Sequence, residues 1–260
     1  MTPAVAFFNQ KGGTAKTTST LNVGAAMAEQ GLRVLAFDLD PQASLTMAIG
    51  IDVQSLLLSV YDLLVDETVS LPEVARSTRI PGFDVVPSHP DLAAAELELL
   101  SELERERKLS AKLRAAEPMT YDLVLIDSPP ALNILSINIL VAADAVVIPI
   151  EPHPLSLMVL RRLFETIDRV RRLNPRLDVL GFLPTKVHHS SRLAADMLAT
   201  LREQFPELSL LPPIPLSVKG AESVAEHSSI LQYQPRSPLA AAYRQAAAEI
   251  ARRVRSRSHV

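Results

Sequence analysis

The stretch Phe8-Asn9-Gln10-Lys11-Gly12-Gly13-Thr14-Ala15-Lys16-Thr17-Thr18 constrains the fold more than any other, because it joins an apolar run of strand type, Ala4 to Phe8, to a helical pattern over Thr17 to Gln30. Glycines between a strand and a helix let successive backbone N–H groups turn inward, and the first helical turn offers unpaired donors to an anion. The segment therefore reads as a phosphate-binding loop. In that reading Lys16 neutralises β and γ phosphates and the Thr17 hydroxyl holds Mg²⁺. The usual spacing, G-x-x-x-x-G-K-[ST], is broken twice: Gln10 stands where its first glycine belongs, and Ala15 precedes the lysine where a glycine is expected. An alanine is tolerable there if the backbone keeps φ negative, and costs about 1 kcal/mol or more if it does not.

Further short apolar runs follow at Val34 to Phe37, Leu123 to Ile126, Ala145 to Ile150 and Val179 to Leu183. Helical patterns cover Leu92 to Ala116, Leu155 to Leu173, Arg192 to Gln204 and Pro238 to Val254. Continuous apolar strands alternating with helices predict an α/β fold, a mostly parallel sheet flanked by helices on both faces. No internal repeat or low-complexity linker interrupts the pattern, so residues 1–260 read as one domain. Residues 251–260 read as a basic tail, either frayed in solvent or touching phosphates. Leu92 to Glu117 mixes charges with leucines at helical spacing and reads as one solvated amphipathic helix. Leu211 to Pro215 reads as an extended, proline-rich connection.

Two carboxylate groups complete the expected site. Phe37-Asp38-Leu39-Asp40-Pro41-Gln42 ends the second strand, at the carboxyl edge where open α/β sheets bind ligands, and strand alternation places Asp38 and Asp40 on one side. Tyr121-Asp122-Leu123-Val124-Leu125-Ile126-Asp127-Ser128-Pro129-Pro130 is an apolar strand ending in Asp127, which is suited to hold Mg²⁺ through water. His188 and His189 are adjacent and lack an evident third ligand, so a surface loop suits them better than a metal site.

These motifs resemble the deviant Walker A ATPases of the ParA/MinD family, a P-loop NTPase fold. Lys11 matches the signature lysine of K-G-G-x-x-K-T-T, D-x-D-P-Q matches the switch motif, and D-x-x-x-I-D-x-P-P matches Walker B. The resemblance implies that Lys11, Gly12, Gly13, Thr14, Ala15, Lys16, Thr17 and Thr18 bind ATP, with Lys11 reaching the phosphates of a partner subunit. It implies Lys11, Lys16 and Asp40 as catalytic residues, Asp40 positioning the attacking water. Thr17, Asp38 and Asp127 are implied around Mg²⁺, and the adenine is expected near Thr185 and Pro215. ATP should promote a homodimer and hydrolysis should release it.

Composition chooses among the relatives. The chain has no cysteine, which excludes the branch whose members hold an iron–sulfur cluster. The terminal Ala251 to Val260 segment lacks the apolar face of a membrane-binding helix, so no membrane partner is expected. With 26 Lys and Arg against 29 Asp and Glu the net charge is −3, so DNA contact must come from local patches. The candidates are Arg192, Lys219, Arg236, Arg252, Arg253 and Arg255, with a further run on Arg161 to Arg176. Such contacts hold double-stranded DNA without reading its sequence. With a phosphate loop so near the first residue, the expectation is a short, Soj-like ParA ATPase. It would be cytoplasmic and nucleoid-associated, with a ParB-like activator and a chromosome origin, plasmid or protein assembly as cargo. A MinD-like membrane-surface ATPase is the alternative, and a dimerising module that barely hydrolyses ATP is a third reading.

Overall fold

The computed structural model describes residues 1–188 and 191–257. Seven strands form one sheet: β1 (Ala4–Phe7), β2 (Val34–Asp38), β3 (Arg76–Ser77), β4 (Phe83–Val86), β5 (Leu123–Asp127), β6 (Ala145–Ile150) and β7 (Asp178–Pro184). Their order is β3-β4-β2-β5-β1-β6-β7, and every pairing is parallel except β3 with β4. The expected mostly parallel sheet is thus present. The helices are α1 (Lys16–Glu29), α2 (Ser44–Ala48), α3 (Val60–Val65), α4 (Leu71–Val74), α5 (Leu92–Glu98), α6 (Lys108–Ala115), α7 (Ile134–Ala142), α8 (Pro154–Val170), α9 (Arg192–Gln204), α10 (Val218–Ala225), α11 (Ile230–Tyr233) and α12 (Pro238–Arg257).

Strand alternation divides the core into two layers. Ala4, Ala6 and Phe8 face one side, where α3 to α9 supply Leu63, Leu92, Leu109, Ile139 and Leu163. Val5 and Phe7 face the other, where α1, α2, α11 and α12 supply Leu21, Leu45, Ile230 and Tyr243. Both faces of the central strands are therefore apolar, which is why these strands read as unbroken runs. Fully burying one such leucine or phenylalanine contributes about 1.5–3 kcal/mol. Helix α1 also lies unusually close to the sheet, since a Cβ at Gly24 would sit 2.2 Å from the Phe83 ring. Only glycine allows that approach.

Two expectations are corrected. Leu92 to Glu117 is not one helix: α5 gives way to a 3-10 turn at Leu99–Ser101, Glu104 takes a left-handed φ of 51°, and a second 3-10 turn at Arg105–Arg107 leads into α6. An unbroken helix keeps one phase, whereas the interruption lets Leu92, Ala95, Leu109 and Leu113 all reach the core and leaves Leu97 and Leu103 in solvent. Asn138 of α7 takes up the backbone groups that the break releases, accepting from the Leu109 N–H at 3.1 Å and donating to the Arg105 carbonyl at 2.7 Å. The second correction concerns the tail. Residues 251–257 continue α12 as regular helix, because Ala251 and Val254 are buried on its inner face. Ser258, His259 and Val260 lie outside the described residues. Leu211 to Pro215 is extended as expected, and Pro215 bridges to Val187.

Candidate nucleotide site

The strand order places the candidate residues together. β5 lies between β1 and β2, with Phe7 opposite Asp127 and Asp38 opposite Asp127 in the register. The phosphate loop leaves the carboxyl end of β1, so it opens beside both carboxylates. This is the edge at which open α/β sheets form ligand crevices.

Side chains from distant elements pin the loop. Asn9 is buried, donates to the Pro149 carbonyl at 2.8 Å and accepts from the Lys11 N–H at 3.0 Å. The Thr185 hydroxyl, at the end of β7, donates to the Thr14 carbonyl at 3.1 Å. Gly13 has φ 74°, a left-handed turn suited to glycine. The loop ends at Ala15, the N-cap of α1, whose φ is 62°. The condition for an unstrained alanine is therefore not met. A left-handed alanine costs about 1–2 kcal/mol, part of which glycine returns as unfolded-chain entropy. Replacement of Ala15 by glycine should raise stability by up to about 1 kcal/mol, or about 2–4 °C in Tm for a domain of this size. A thermal melt of the nucleotide-free protein checks this, and a fall in Tm would contradict the strain.

A cleft of about 390 Å³ lies over the loop, lined by Gly12 to Thr18, Asp40, Ser44, Pro130 and Lys186 among others. A second cavity of about 400 Å³ shares Ala15, Thr18, Lys186 and Val224 with it and extends over Thr185, Ile214, Pro215, Ser217 and Tyr243. One cavity thus has the loop on its floor, and the other has the mostly apolar lining that suits a flat ring. Thr185 and Pro215 fall in the second, where the adenine was expected. Lys186 borders both and was not among the site residues expected from the motifs. Its signal was a cation immediately after a strand at the carboxyl edge.

Lys16 is buried, with its ammonium 3.4 Å from the Lys11 carbonyl. Burial pulls its pKa below the usual lysine value, while Asp127 and Asp40 favour the charged form. Asp127 is wholly buried and neither carboxylate oxygen has a hydrogen-bond partner. Burial, and then the Asp38 charge, push its pKa well above the carboxylate range. The Thr17 hydroxyl and Lys16 oppose that shift, the hydroxyl lying near without reaching hydrogen-bond geometry. An orphaned buried carboxylate beside a threonine hydroxyl calls for a hard cation, and these oxygen donors fit Mg²⁺. Among the described residues no group of three or more His, Cys, Asp or Glu is arranged around a metal position. Mg²⁺ suits such a sparse set, because it keeps several waters and takes phosphate oxygens alongside one or two protein ligands.

Asp38 is engaged differently. Its Oδ2 accepts the Thr46 N–H at 2.9 Å and hydroxyl at 2.7 Å, and its Oδ1 accepts the Asp40 N–H at 3.2 Å. Burial pushes its pKa up to about 6 against these bonds. The two aspartates do not share a side as alternation suggested, because β2 ends at Asp38 and the chain turns there. Asp38 faces Thr46, and Asp40 lines the cleft. Lys11 is half-buried, does not line the cleft, and its ammonium has no ion pair or hydrogen bond among the described residues.

The candidate DNA contacts are scattered and partly neutralised. Arg192 and Arg236 are exposed at the start of α9 and before α12. Lys219 pairs with Glu222 at 2.8 Å, and Arg252 with Glu249 at 2.7 Å. Arg253 is a structural anchor: it pairs with Glu249 at 2.7 Å and donates to the Leu180 carbonyl at 2.6 Å and the Ser209 hydroxyl at 2.7 Å. Among the described residues Arg255 reaches only its own helix, at the Ala251 carbonyl. On α8 Arg161, Arg162 and Arg169 are exposed. His188 is exposed as expected of a surface loop, and His189 lies outside the described residues.

Comparison with known proteins adds four findings. The AAA_31 family model, described as an AAA domain, matches residues 2–179. The sporulation initiation inhibitor protein Soj of Bacillus subtilis is 36% identical over 248 residues, 95% of this chain and 97% of that protein. The chromosome partitioning protein ParA of Caulobacter vibrioides is 37% identical over 97% of this chain and 95% of its own length. Among solved structures, the cobyrinic acid a,c-diamide synthase of Mycobacterium smegmatis with bound ATP analog and magnesium superposes with a TM-score of 0.86. It is 35% identical, covering 98% of this chain and 97% of that one.

Proposed function

The chain belongs to the ParA/MinD family of P-loop ATPases, close to its Soj-like members, and on that premise we propose that it is a nucleotide-timed switch that segregates or positions a cargo. Residues 1–260 act as one ATPase domain. It binds ATP with Mg²⁺ as a homodimer, holds double-stranded DNA without sequence preference in that state, and releases it on hydrolysis to ADP and phosphate. A ParB-like partner stimulates the hydrolysis, and the protein works in the cytoplasm on the nucleoid.

The observation that carries this reading is the convergence of the Gly12 to Thr18 loop, Lys16 and Asp40 on one cleft beside the unpartnered Asp127. Gly12, Gly13, Thr14, Ala15 and Thr18 hold phosphates through the loop backbone, and Lys16 supplies the positive charge. Asp40 orients the attacking water. Thr17, Asp127 and, through its neighbours, Asp38 would hold Mg²⁺, which neutralises phosphate charge when bound. Lys11, free of any acid among the described residues, reaches the partner's phosphates. Thr185 and Pro215 border the adenine.

Exposed cations are the support for DNA contact. Among the described residues Arg192, Arg236 and Arg255 have no acid partner, whereas Lys219, Arg252 and Arg253 would have to leave theirs. The test is co-sedimentation with plasmid DNA and, separately, with anionic liposomes, each with ATP or ADP. Pelleting with DNA in ATP, lost in ADP and at high salt, is the expected result. Pelleting with liposomes alone would replace it with a membrane-surface reading. Among the described residues no helix is long and apolar enough to cross a membrane, and α12 spends its apolar residues Ala251 and Val254 inside the fold.

A further inference from the structure

We propose that Ser88, with Thr46, is a positioning residue for Asp40, closing a buried ring of hydrogen bonds that fixes the Asp40 main chain at the cleft. The inference rests on the reading of Asp40 as the group that orients the attacking water. Ser88 follows β4 and Thr46 lies in α2, both wholly buried. The Ser88 hydroxyl donates to the Asp40 carbonyl at 2.7 Å, and its N–H donates to the Thr46 hydroxyl oxygen at 2.9 Å. That hydroxyl donates to Asp38 Oδ2 at 2.7 Å, and Asp38 Oδ1 accepts the Asp40 N–H at 3.2 Å. The ring thereby holds both polar groups of the Asp40 peptide backbone, one from β4 and one from β2.

Neither hydroxyl has another evident task. Ser88 does not cap α5, whose N-cap is Asp91. Its side chain makes no other hydrogen bond among the described residues. The Asp40 turn needs such a hold. It is closed by the Ala43 N–H to the Asp40 carbonyl at 2.8 Å, and Ala43 itself sits at a left-handed φ of 51°. A strained turn persists where its surroundings over-determine it. The Ser88 bond meets the same carbonyl that closes the turn. A water-orienting carboxylate displaced by about 1 Å loses up to about 100-fold in rate, so the ring acts on turnover through Asp40 and touches no substrate itself.

Two variants break the ring in different places: Ser88→Ala removes one hydroxyl, and Thr46→Val keeps the shape of its side chain without the other. Thr46→Ser restores the hydroxyl. Asn174→Ala, which breaks two buried hydrogen bonds to the Leu140 and Ala143 carbonyls far from the cleft, controls for general loss of stability. In the nucleotide-free proteins, amide hydrogen exchange over residues 39–43 should quicken about tenfold in Ser88→Ala and Thr46→Val, and stay unchanged in Thr46→Ser and Asn174→Ala. In phosphate release, kcat should fall about tenfold in the first two with KM for ATP changed less than twofold, and Thr46→Ser should recover most of it. Unchanged exchange in folded Ser88→Ala and Thr46→Val overturns the proposal. So does a kcat loss that Asn174→Ala shares at matched Tm. If the wild-type protein turns over no ATP, the ATPase reading fails instead, while the exchange result still decides whether the ring holds Asp40.

Discussion

Replacing Lys16 with alanine should reduce phosphate release at least about 100-fold and weaken ATP binding about tenfold, the expected cost of losing an electrostatic group aimed at transferring charge. The physical ground is the surroundings of this ammonium. It is buried in the turn of the loop, 3.4 Å from the Lys11 carbonyl, with Asp127 and Asp40 as the nearby acids. In a site of reduced dielectric its charge is felt more strongly than a surface lysine's would be. Burial lowers its pKa even with Asp127 and Asp40 opposing the shift, so these acids offset only part of the burial cost and an anionic ligand would offset more. Lys16→Arg should fail as well. A planar guanidinium needs a wider slot than an ammonium enclosed to this degree, and its fork cannot reproduce a compact point charge. Phosphate release and titration with a fluorescent ATP analogue check both variants, beside a melt that confirms folding. Wild-type turnover in a folded Lys16→Ala protein would remove the loop from the chemistry.

How much of this was legible in the sequence differs by element for physical reasons. Ala4 to Phe8, Leu123 to Ile126 and Ala145 to Ile150 announce themselves because a central parallel strand is buried on both faces. The two-residue edge strand β3 does not, and neither does β4 beside it, whose apolar run is broken by the half-buried Asp84. The small helices α3, α4 and α11 carry capping boxes, Ser59 with Asp62, Ser70 with Glu73 and Ser229 with Gln232, which a search for caps finds and a search for periodicity passes over. The interruption after α5 could not be read at all, since it depends on Asn138 taking up the loosened backbone.

The site shows the same division. Lys16, Asp40 and Asp127 were legible because phosphate chemistry demands those residue types at strand ends and at a helix start. The sign of φ at Ala15 was not, because the sequence states a residue and the fold sets its conformation. Thr46 and Ser88 were silent for a related reason: a buried hydroxyl is defined by its partners, and these partners lie up to 48 residues away. The basic residues were the least informative. Of the four tail arginines, Arg253 is a structural anchor in the fold, Arg252 shares Glu249 with it, Arg257 pairs with Asp178, and Arg255 has no acid partner among the described residues.

Asp40→Ala should retain ATP affinity within a few fold, lose turnover about 100-fold or more, and accumulate as an ATP-bound dimer. Asp40 Oδ1 accepts the Gln42 N–H at 3.0 Å, while Oδ2 has no hydrogen bond among the described residues. One oxygen is thus held in place and the other is a vacant acceptor on a residue that lines the cleft. Truncation leaves the phosphate contacts intact and removes the acceptor, so binding and turnover should separate. Size-exclusion chromatography with ATP and with ADP reads the dimer, and phosphate release reads the rate. Combining this variant with Lys11→Ala tests the direction of the lysine. If Lys11 serves the partner's site, each variant is inactive alone, yet a heterodimer holds one site with an intact Asp40 and an intact Lys11 from across the interface. Random pairing at equal amounts makes half of the dimers mixed, each with one competent site of two, so about a quarter of wild-type turnover should return. A Lys11 that acts within its own subunit gives the opposite outcome: in every mixed dimer each site would lack one of the two groups, and mixing would restore nothing.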